Sequence, residues 1–214
     1  YACAVYRMDE TFTANITQEL IDNIKRIRHH ACLGIWCGNN EMETAWDSWG
    51  IPQEPDLKTD YIYQFEELFP AICQKYDPQT FYWPSSPSCG GGFDDPNSYN
   101  KGDVHYWDVW HGMKPLTDFS QYYFRFCSEY GFMSLPGIKT IRAFAEEEDL
   151  NLFSAVMEAH QKCDDGTKKL LYYMSQMVPY PCSFEGVIDA TQLLQAEAIR
   201  ANVEHMRRNR GRCM

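Results

Sequence analysis

Residues 33–41 read Leu33-Gly34-Ile35-Trp36-Cys37-Gly38-Asn39-Asn40-Glu41. The first five residues are apolar or small, and such a short run predicts a strand buried on both faces, as in a parallel sheet. The last four residues are polar and include two amides and an acid. Because an α/β barrel carries its active site at the carboxyl ends of its strands, Asn40 and Glu41 are candidate site residues. An ordinary strand end with a solvated Glu41 is the alternative interpretation.

A second acid, Glu129, lies in similar surroundings. Residues 122–127 predict another strand, which leads into Ser128-Glu129-Tyr130-Gly131-Phe132. Two carboxyls about 5 to 5.5 Å apart serve retaining glycosidases as nucleophile and acid/base. If the two predicted strands belong to one barrel, both acids lie at the same rim. The pair therefore suggests sugar chemistry.

The chain between the two acids is rich in aromatic residues. Such rings offer apolar faces to the C–H surfaces of sugars, and they exclude water, which favours a protonated carboxyl. An aromatic core is the alternative explanation. The residues in question are Trp46, Trp49, Tyr82, Trp83, Tyr106, Trp107 and Trp110.

Composition limits the class of protein. The 214 residues, 44% of them apolar, are enough for one domain with a substantial core. The net charge of −11 disfavours nucleic acid or an anionic membrane as partner. Nine scattered cysteines without C-x-x-C spacing indicate reduced thiols rather than a disulfide scaffold or a zinc site.

The amino terminus and the hydropathy pattern bear on localisation. The chain begins with Tyr1 and shows neither an initiator Met nor a signal peptide. No run of apolar residues approaches the length of a membrane span. We therefore expect a soluble segment of a longer protein.

Helical and strand-like segments alternate along the chain. Helices are predicted over 15–30, 60–75, 150–161 and 186–208, and strands over 1–6, 33–37, 80–83, 102–112 and 122–127. Residues 51–58 and 162–185 are predicted connections, and residues 88–100 a flexible loop near the pocket. The alternation favours a parallel α/β arrangement, although five strands are too few to close an eight-stranded barrel.

Four stretches in order resemble glycoside hydrolase family two, in its β-mannosidase branch. They are Trp36-Cys37-Gly38-Asn39-Asn40-Glu41, Trp83-Pro84-Ser85-Ser86-Pro87, Gly102-Asp103-Val104-His105-Tyr106-Trp107 and Ser128-Glu129-Tyr130-Gly131-Phe132.

This resemblance implies roles for individual residues. Glu41 would be the acid/base at the end of barrel strand four, and Glu129 the nucleophile at the end of strand seven. Asn40 would bind the 2-hydroxyl of the sugar, and Trp49 would line its subsite. The activity implied is that of a retaining, exo-acting β-mannosidase that releases terminal β-D-mannose without cofactor or metal. The further substrate-binding residues carried over are Trp83, His105, Trp107 and Trp110.

The resemblance also implies the architecture. The chain would be a single segment, residues 1–214, of a catalytic (β/α)8 TIM-barrel domain, from the end of strand three through helix seven. Strands one, two and eight and the accessory β-sandwich domains would be absent. The partners would then be an oligosaccharide or glycan substrate and the missing parts of the parent chain. Without those parts, the isolated segment is not expected to hold a complete pocket.

Two other functions remain open at this point. One is another family-two glycosidase, such as a glucosaminidase or a galactosidase. The other is a non-catalytic, carbohydrate-binding barrel fragment. The presence of both acids and of Asn40 favours an enzyme, because sugar binding alone does not require all three.

The two acids are expected to divide the labour by protonation state. Closely packed carboxyls share a proton, and we place it on Glu41, where neighbouring tryptophans disfavour a charge. Hydroxyls adjacent to Glu129 are expected to keep that carboxyl charged. The tryptophans are Trp36, Trp46 and Trp49, and the hydroxyl residues are Ser128 and Tyr130.

Overall fold

A computed structural model describes residues 1–213. They form two compact units. Unit 1 comprises Tyr1–His105 and Phe124–Ser128, and unit 2 comprises Tyr106–Tyr123 and Glu129–Met214. Both helices and strands are present, so the chain is a mixed α/β structure.

Unit 1 alternates short strands with helices. Its helices are α1 (Glu10–Ile27), α2 (Met42–Ser48), α3 (Pro55–Ile62), a π-helix (Tyr63–Leu68) and α4 (Phe69–Tyr76). Its strands are β1 (Ile35–Cys37), β2 (Phe81–Trp83), β3 (Val104–His105) and β4 (Cys127–Glu129), whose last residue belongs to unit 2. Strand β1 pairs with β2, and β3 pairs with β4.

The pairing of β1 with β2 is parallel, as the sequence predicts. Ile35 lies opposite Phe81, and the pairing continues past the strands to a bridge between Asn40 and Ser86. Trp36 packs against the helices, whereas Ile35 on the other face is 47% exposed. The prediction that β1 is buried on both faces is therefore wrong within the described residues, because helices cover only one face.

Helix α1 begins earlier than predicted. Asp9 caps it by accepting a hydrogen bond of 2.8 Å from the backbone N–H of Phe12, so the helix starts at Glu10 and not at Asn15. Its buried residues Ile16 and Ile24 face α4 and the π-helix.

The second predicted helix of unit 1 is confirmed over most of its length. It starts at Pro55, a residue suited to the first turn, so the predicted connection before it is shorter than expected. The helix continues through the π-helix and α4 to Tyr76. Tyr61, Phe65 and Phe69 form its core with Ile16 of α1.

Other predicted strands are shorter or displaced. Residues 1–6 are not a strand, but Tyr1 bonds beside β1 as a strand neighbour would: its N–H donates to Gly38 O and its carbonyl accepts from Asn40 N, both at 2.9 Å. Strand β3 is two residues long. The strand predicted over 122–127 instead begins at Cys127, because the preceding segment is irregular around the buried Phe124.

Unit 2 is mainly helical. Helix α8 confirms the prediction over 186–208, and Ser183 caps it through the N–H of Gly186 at 3.1 Å. The helix predicted over 150–161 is shorter in the structure, where α6 spans Ala155–His160. The predicted connection 162–185 holds α7, whose buried Leu170, Tyr173 and Met174 show the helical spacing that the prediction overlooked. The helices are α5 (Ile138–Ile141), α6 (Ala155–His160), α7 (Gly166–Met177), α8 (Phe184–Arg208) and 3-10 turns at Leu116–Gln121 and Glu147–Asp149.

Among residues 1–213, no helix combines the length and the apolar character that crossing a membrane requires.

Candidate active site

Glu41 ends the β1 segment in a left-handed backbone conformation, with φ 62° and ψ 9°. Its backbone N–H donates to Ser86 O at 2.7 Å, and α2 starts at the next residue. A left-handed non-glycine residue costs about 1 kcal/mol, and such residues concentrate at functional sites. The local pairing with Ser86 therefore holds the Glu41 side chain in a direction that an ordinary strand end would not give it.

Two side chains contact the Glu41 carboxyl, which is 17% exposed. Oε1 lies 2.8 Å from His105 Nδ1, and Oε2 accepts a hydrogen bond of 3.2 Å from Asn40 Nδ2. Asn40 is itself exposed and His105 is buried. The acid is thus oriented from inside the unit by His105 and bordered on the solvent side by an amide.

Asp103 is the buried centre of a network below this acid. Its Oδ1 accepts from Trp83 Nε1 at 2.8 Å and from Ser88 N at 2.9 Å. Its Oδ2 accepts from Ser86 Oγ and from Ser128 Oγ, each at 2.6 Å. All four partners donate a hydrogen bond to Asp103, and an ionised carboxylate can only accept hydrogen bonds.

This network assigns the tautomer of His105. Ser86 Oγ has a single proton, and the 2.6 Å contact directs it to Asp103. Ser86 Oγ must therefore accept from His105 Nε2, which lies 2.9 Å away. With a proton on Nε2, the 2.8 Å contact between Nδ1 and Glu41 Oε1 also needs one, because two lone pairs would repel. The His105–Glu41 pair therefore holds a proton between ring and carboxyl.

The loop predicted to be flexible is fastened to β3. Asn97 accepts from the backbone N–H of His105 at 2.8 Å and donates to its carbonyl at 3.1 Å. Asn97 has φ 72°, a conformation that asparagine tolerates better than most residues. At the start of the loop, the Ser88 hydroxyl accepts the N–H groups of Gly90 and Gly91 at 3.0 Å.

Glu43 is a fully buried acid two residues beyond Glu41. Its Oε1 accepts from the Tyr61 hydroxyl at 2.9 Å and its Oε2 from the Ser88 hydroxyl at 2.8 Å. Burial raises the pKa of Glu43, and these two hydrogen bonds only partly oppose that rise. Glu43 therefore joins α2 to the loop that fastens His105.

Glu43 predicts a dependence of stability on pH. A carboxyl with a raised pKa in the folded state binds its proton more tightly there, so its contribution to stability is present at low pH and is lost as pH rises through the folded pKa. The loss starts near the usual value of 4.5. We expect the Tm of the full-length polypeptide to fall, relative to that of its Glu43→Gln variant, as pH rises above this value. A constant Tm difference across the range would contradict this, and Glu67→Gln, at an exposed position, is the control.

In unit 2, Glu129 receives a hydrogen bond from an indole. Trp107 Nε1 donates to Glu129 Oε1 at 2.9 Å, and the Glu129 carbonyl accepts from Tyr106 N at 2.8 Å. Gly131 lies directly against the other edge of the indole, since a Cβ there would come within 2.8 Å of Trp107 Cη2. The absence of a side chain at Gly131 thus gives Trp107 the room to reach Glu129.

Most of the predicted site residues fall into two groups, one in each unit. In unit 1, the Asp103 network joins Asn40, Glu41, Trp83 and His105. In unit 2, Trp107 is bonded to Glu129. Two tryptophans lie outside these groups: Trp49 is 56% exposed at the end of α2, and Trp110 is 3% exposed and packs against Phe132 and Tyr173.

The expected surroundings of the two acids need correction. The Trp36 indole donates to Asp77 at 2.8 Å, and Trp46 packs against Phe93, so hydrogen bonds rather than tryptophan faces surround the Glu41 carboxyl. The Ser128 hydroxyl donates to Asp103 instead of Glu129. Strand alternation explains the difference, because adjacent residues such as Ser128 and Glu129 point to opposite sides.

Sequence reasoning assigned no role to Ser86, Asn97 and Asp103. Asp103 and Ser86 lie within stretches that carry the resemblance, and an acid directly before an apolar strand was the available signal. Asn97 shows no such signal in the sequence, because its role depends on a loop that folds back onto β3.

The network predicts a difference between two serine variants. Ser86→Ala and Ser128→Ala each remove one donor from Asp103, but only Ser86 contacts His105. We expect Ser86→Ala to lower the kcat of the glycosidase activity that the resemblance implies, for a substrate with a poor leaving group, about tenfold more than Ser128→Ala does, since it removes the hydroxyl that accepts from His105 Nε2. Steady-state kinetics of the full-length polypeptide measure this, and equal losses would contradict the proton assignment.

Two acids at strand ends, each held by a hydrogen-bonded partner, in a mixed α/β chain with indoles nearby, are typical of glycoside hydrolases. No family model matches the chain. The curated protein Beta-mannosidase B from Aspergillus fumigatus is 33% identical over 223 residues, which covers 99% of this chain and 26% of that protein. Beta-mannosidase B from Thermothelomyces thermophilus is 31% identical over 214 residues, 93% of this chain and 25% of that protein.

A solved structure agrees with these relatives. The crystal structure of β-D-mannosidase from Dictyoglomus thermophilum matches with a TM-score of 0.87 and 33% identity, over 98% of this chain and 25% of that one. The resemblance to the β-mannosidases is therefore confirmed. The chain spans about a quarter of the length of the curated relatives it matches.

Proposed function

We propose that this chain carries the catalytic acids of a retaining, exo-acting β-mannosidase, which releases terminal β-D-mannose from oligosaccharides. The observation that carries the proposal is the strained left-handed Glu41, held by His105, Asn40 and Ser86 at the end of a parallel strand. Similarity to β-mannosidases over nearly the whole chain supports the same sugar.

We also propose that residues 1–214 are one segment of a (β/α)8 TIM-barrel domain, from the end of strand three through helix seven. The β1–β2 unit supports this, because two parallel strands joined through α2, α3 and α4 form the repeating unit of such barrels. Other parts of the parent chain would then complete the pocket.

In the first chemical step, the Glu129 carboxylate attacks the anomeric carbon of the terminal mannose. The bond to the leaving oxygen breaks, and that oxygen takes the proton held between Glu41 and His105. The indole N–H of Trp107 supports this role of Glu129, since its hydrogen bond holds one carboxylate oxygen in a fixed direction.

In the second step, the Glu41–His105 pair takes a proton from water, and the oxygen of that water attacks the anomeric carbon. The bond to Glu129 breaks, and mannose leaves with its original anomeric configuration. We assign Asn40, which bonds the acid, to the sugar's 2-hydroxyl, with Trp49, Trp83, Trp107 and Trp110 as candidate apolar surfaces. No step requires a metal or a cofactor.

The substrate would be a neutral glycan. The net negative charge of the chain would repel nucleic acid or an anionic membrane surface but not a neutral sugar. The test is hydrolysis of a panel of nitrophenyl β-glycosides by the full-length polypeptide. We expect the mannoside to be cleaved with the highest kcat/KM and β-mannose to appear first by NMR. Preference for a glucosaminide or galactoside, or binding without cleavage, would overturn the proposal.

A further inference from the structure

Unit 2 contains a groove beside Trp107, and sequence reasoning assigned no role to the charged residues that line it. Its volume is about 600 Å³, within the range of small-molecule sites. Gly131, Trp107 and His111 form part of its wall, and the start of α7 contributes Asp165 and Lys169. We call it the Lys169 groove.

Lys169 is an unusual residue for a surface groove, because its side chain is only 7% exposed. Its ammonium donates to Asp165, lies 3.5 Å from His111 Nδ1, and faces the Trp110 ring at 6.0 Å. An ammonium has three N–H groups, and among residues 1–213 its hydrogen-bond partners are Asp165 and His111. One N–H is thus left for a ligand in the groove.

Asp165 supplies the matching acceptor. The hydrogen bond from Lys169 lowers the pKa of Asp165, so its carboxylate stays charged. Its side chain lines the groove and is 45% exposed. A fixed donor next to a fixed acceptor suits neighbouring hydroxyls of one sugar ring, and the Trp107 indole offers the apolar face that such a ring packs against.

The charges along the groove favour a neutral ligand. Two lysines and two aspartates line it, so their formal charges cancel. An anionic ligand would meet both carboxylates, and a cationic one both ammonium groups. The residues are Lys162, Asp164, Asp165 and Lys169.

The groove lies next to the reaction centre without including it. Trp107 bonds Glu129 through Nε1, while its six-membered ring lies against Gly131 in the groove wall. A ligand in the groove is thus separated from the Glu129 carboxylate by the indole. A reacting carbon must come within about 3 to 3.5 Å of its nucleophile, so the groove cannot hold the sugar that reacts.

We propose that the Lys169 groove binds the leaving-group sugar of an oligosaccharide substrate, the residue next to the mannose that is released. This rests on the proposed function, since in an exo-acting enzyme the second sugar is part of the leaving group. Lys169 and Asp165 hydrogen-bond its hydroxyls, and Trp107 contacts both this sugar and the nucleophile.

The test compares two substrates in the full-length polypeptide: mannobiose, which has a leaving-group sugar, and nitrophenyl β-mannoside, which has none. We expect Lys169→Met and Asp165→Asn each to lower the ratio of kcat/KM for mannobiose to that for the nitrophenyl mannoside about tenfold. Lys168→Met is the matched control, because Lys168 is exposed on the same helix and does not line the groove. It should leave the ratio unchanged.

The outcomes separate the two proposals. Absence of cleavage of either mannoside by the unsubstituted polypeptide contradicts the proposed function itself. Cleavage with an unchanged ratio in Asp165→Asn, whose retained activity shows that the variant folds, overturns only the groove assignment. Equal losses for both substrates in a variant with normal Tm overturn it as well, because they place the groove at the reacting sugar.

Discussion

Replacing Glu129 with alanine in the full-length polypeptide is expected to lower the kcat of the proposed β-mannosidase activity by about 10⁴-fold or more. The proposed mechanism has no other group that attacks the anomeric carbon, and loss of a covalent nucleophile has effects of this order in other enzymes. Hydrolysis of nitrophenyl β-mannoside measures the loss. Glu158→Ala, which removes an exposed acid from α6 of the same unit, is the control and should retain activity.

A small anion distinguishes a lost nucleophile from a damaged fold. In Glu129→Ala, azide or formate can enter the space of the missing carboxylate and attack from the same side. We expect added azide to restore turnover and to give a mannosyl azide of inverted, α configuration, detected by NMR. Residual activity that keeps the β configuration would show that another residue is the nucleophile.

Removing Glu41 affects substrates according to their leaving groups. In the proposed mechanism, a sugar leaving group needs the proton held between Glu41 and His105, whereas a dinitrophenolate leaves without one. We therefore expect Glu41→Ala to lower kcat/KM for mannobiose by about 10²- to 10⁴-fold, with a much smaller loss for dinitrophenyl β-mannoside. The value of kcat/KM is the suitable measure, since it reports the step in which the leaving group departs.

Two further comparisons make this result specific to Glu41. Glu67→Ala removes an exposed acid of unit 1 and should alter neither substrate's kcat/KM. The loss of kcat/KM in Glu41→Ala should also grow steadily with the pKa of the leaving group across a series of aryl mannosides. If Glu41→Ala slowed good and poor leaving groups equally, Glu41 would not be the acid/base.

Periodicity and residue type were sufficient to predict much of the secondary structure of this protein. Apolar spacing was sufficient for the long helices α1 and α8, and the change from apolar to polar residues at Gly38 was sufficient to locate the end of β1. These features depend on neighbours along the chain, so they can be read from the sequence. The same spacing was present in α7 and was overlooked.

Four short stretches predicted a resemblance to the β-mannosidases, and the relatives confirm that resemblance. It also named Glu41 and Glu129 as candidates, and their roles remain predictions. What it did not determine was which side chains hold these acids in place. The expectation that Trp36, Trp46 and Trp49 surround Glu41 was wrong for this reason: closeness in sequence to a strand end does not decide the direction in which a side chain points.

Only the tertiary structure decided which side chains join the hydrogen-bonded network around Asp103. Asp103 collects donors from two separate segments, residues 83–88 (Trp83, Ser86 and Ser88) and β4 (Ser128), and Asn97 fastens β3 from a loop. Such contacts join residues far apart in the chain, and each partner alone has many possible positions. Their choice depends on strand register and loop closure, which arise only when the whole unit packs.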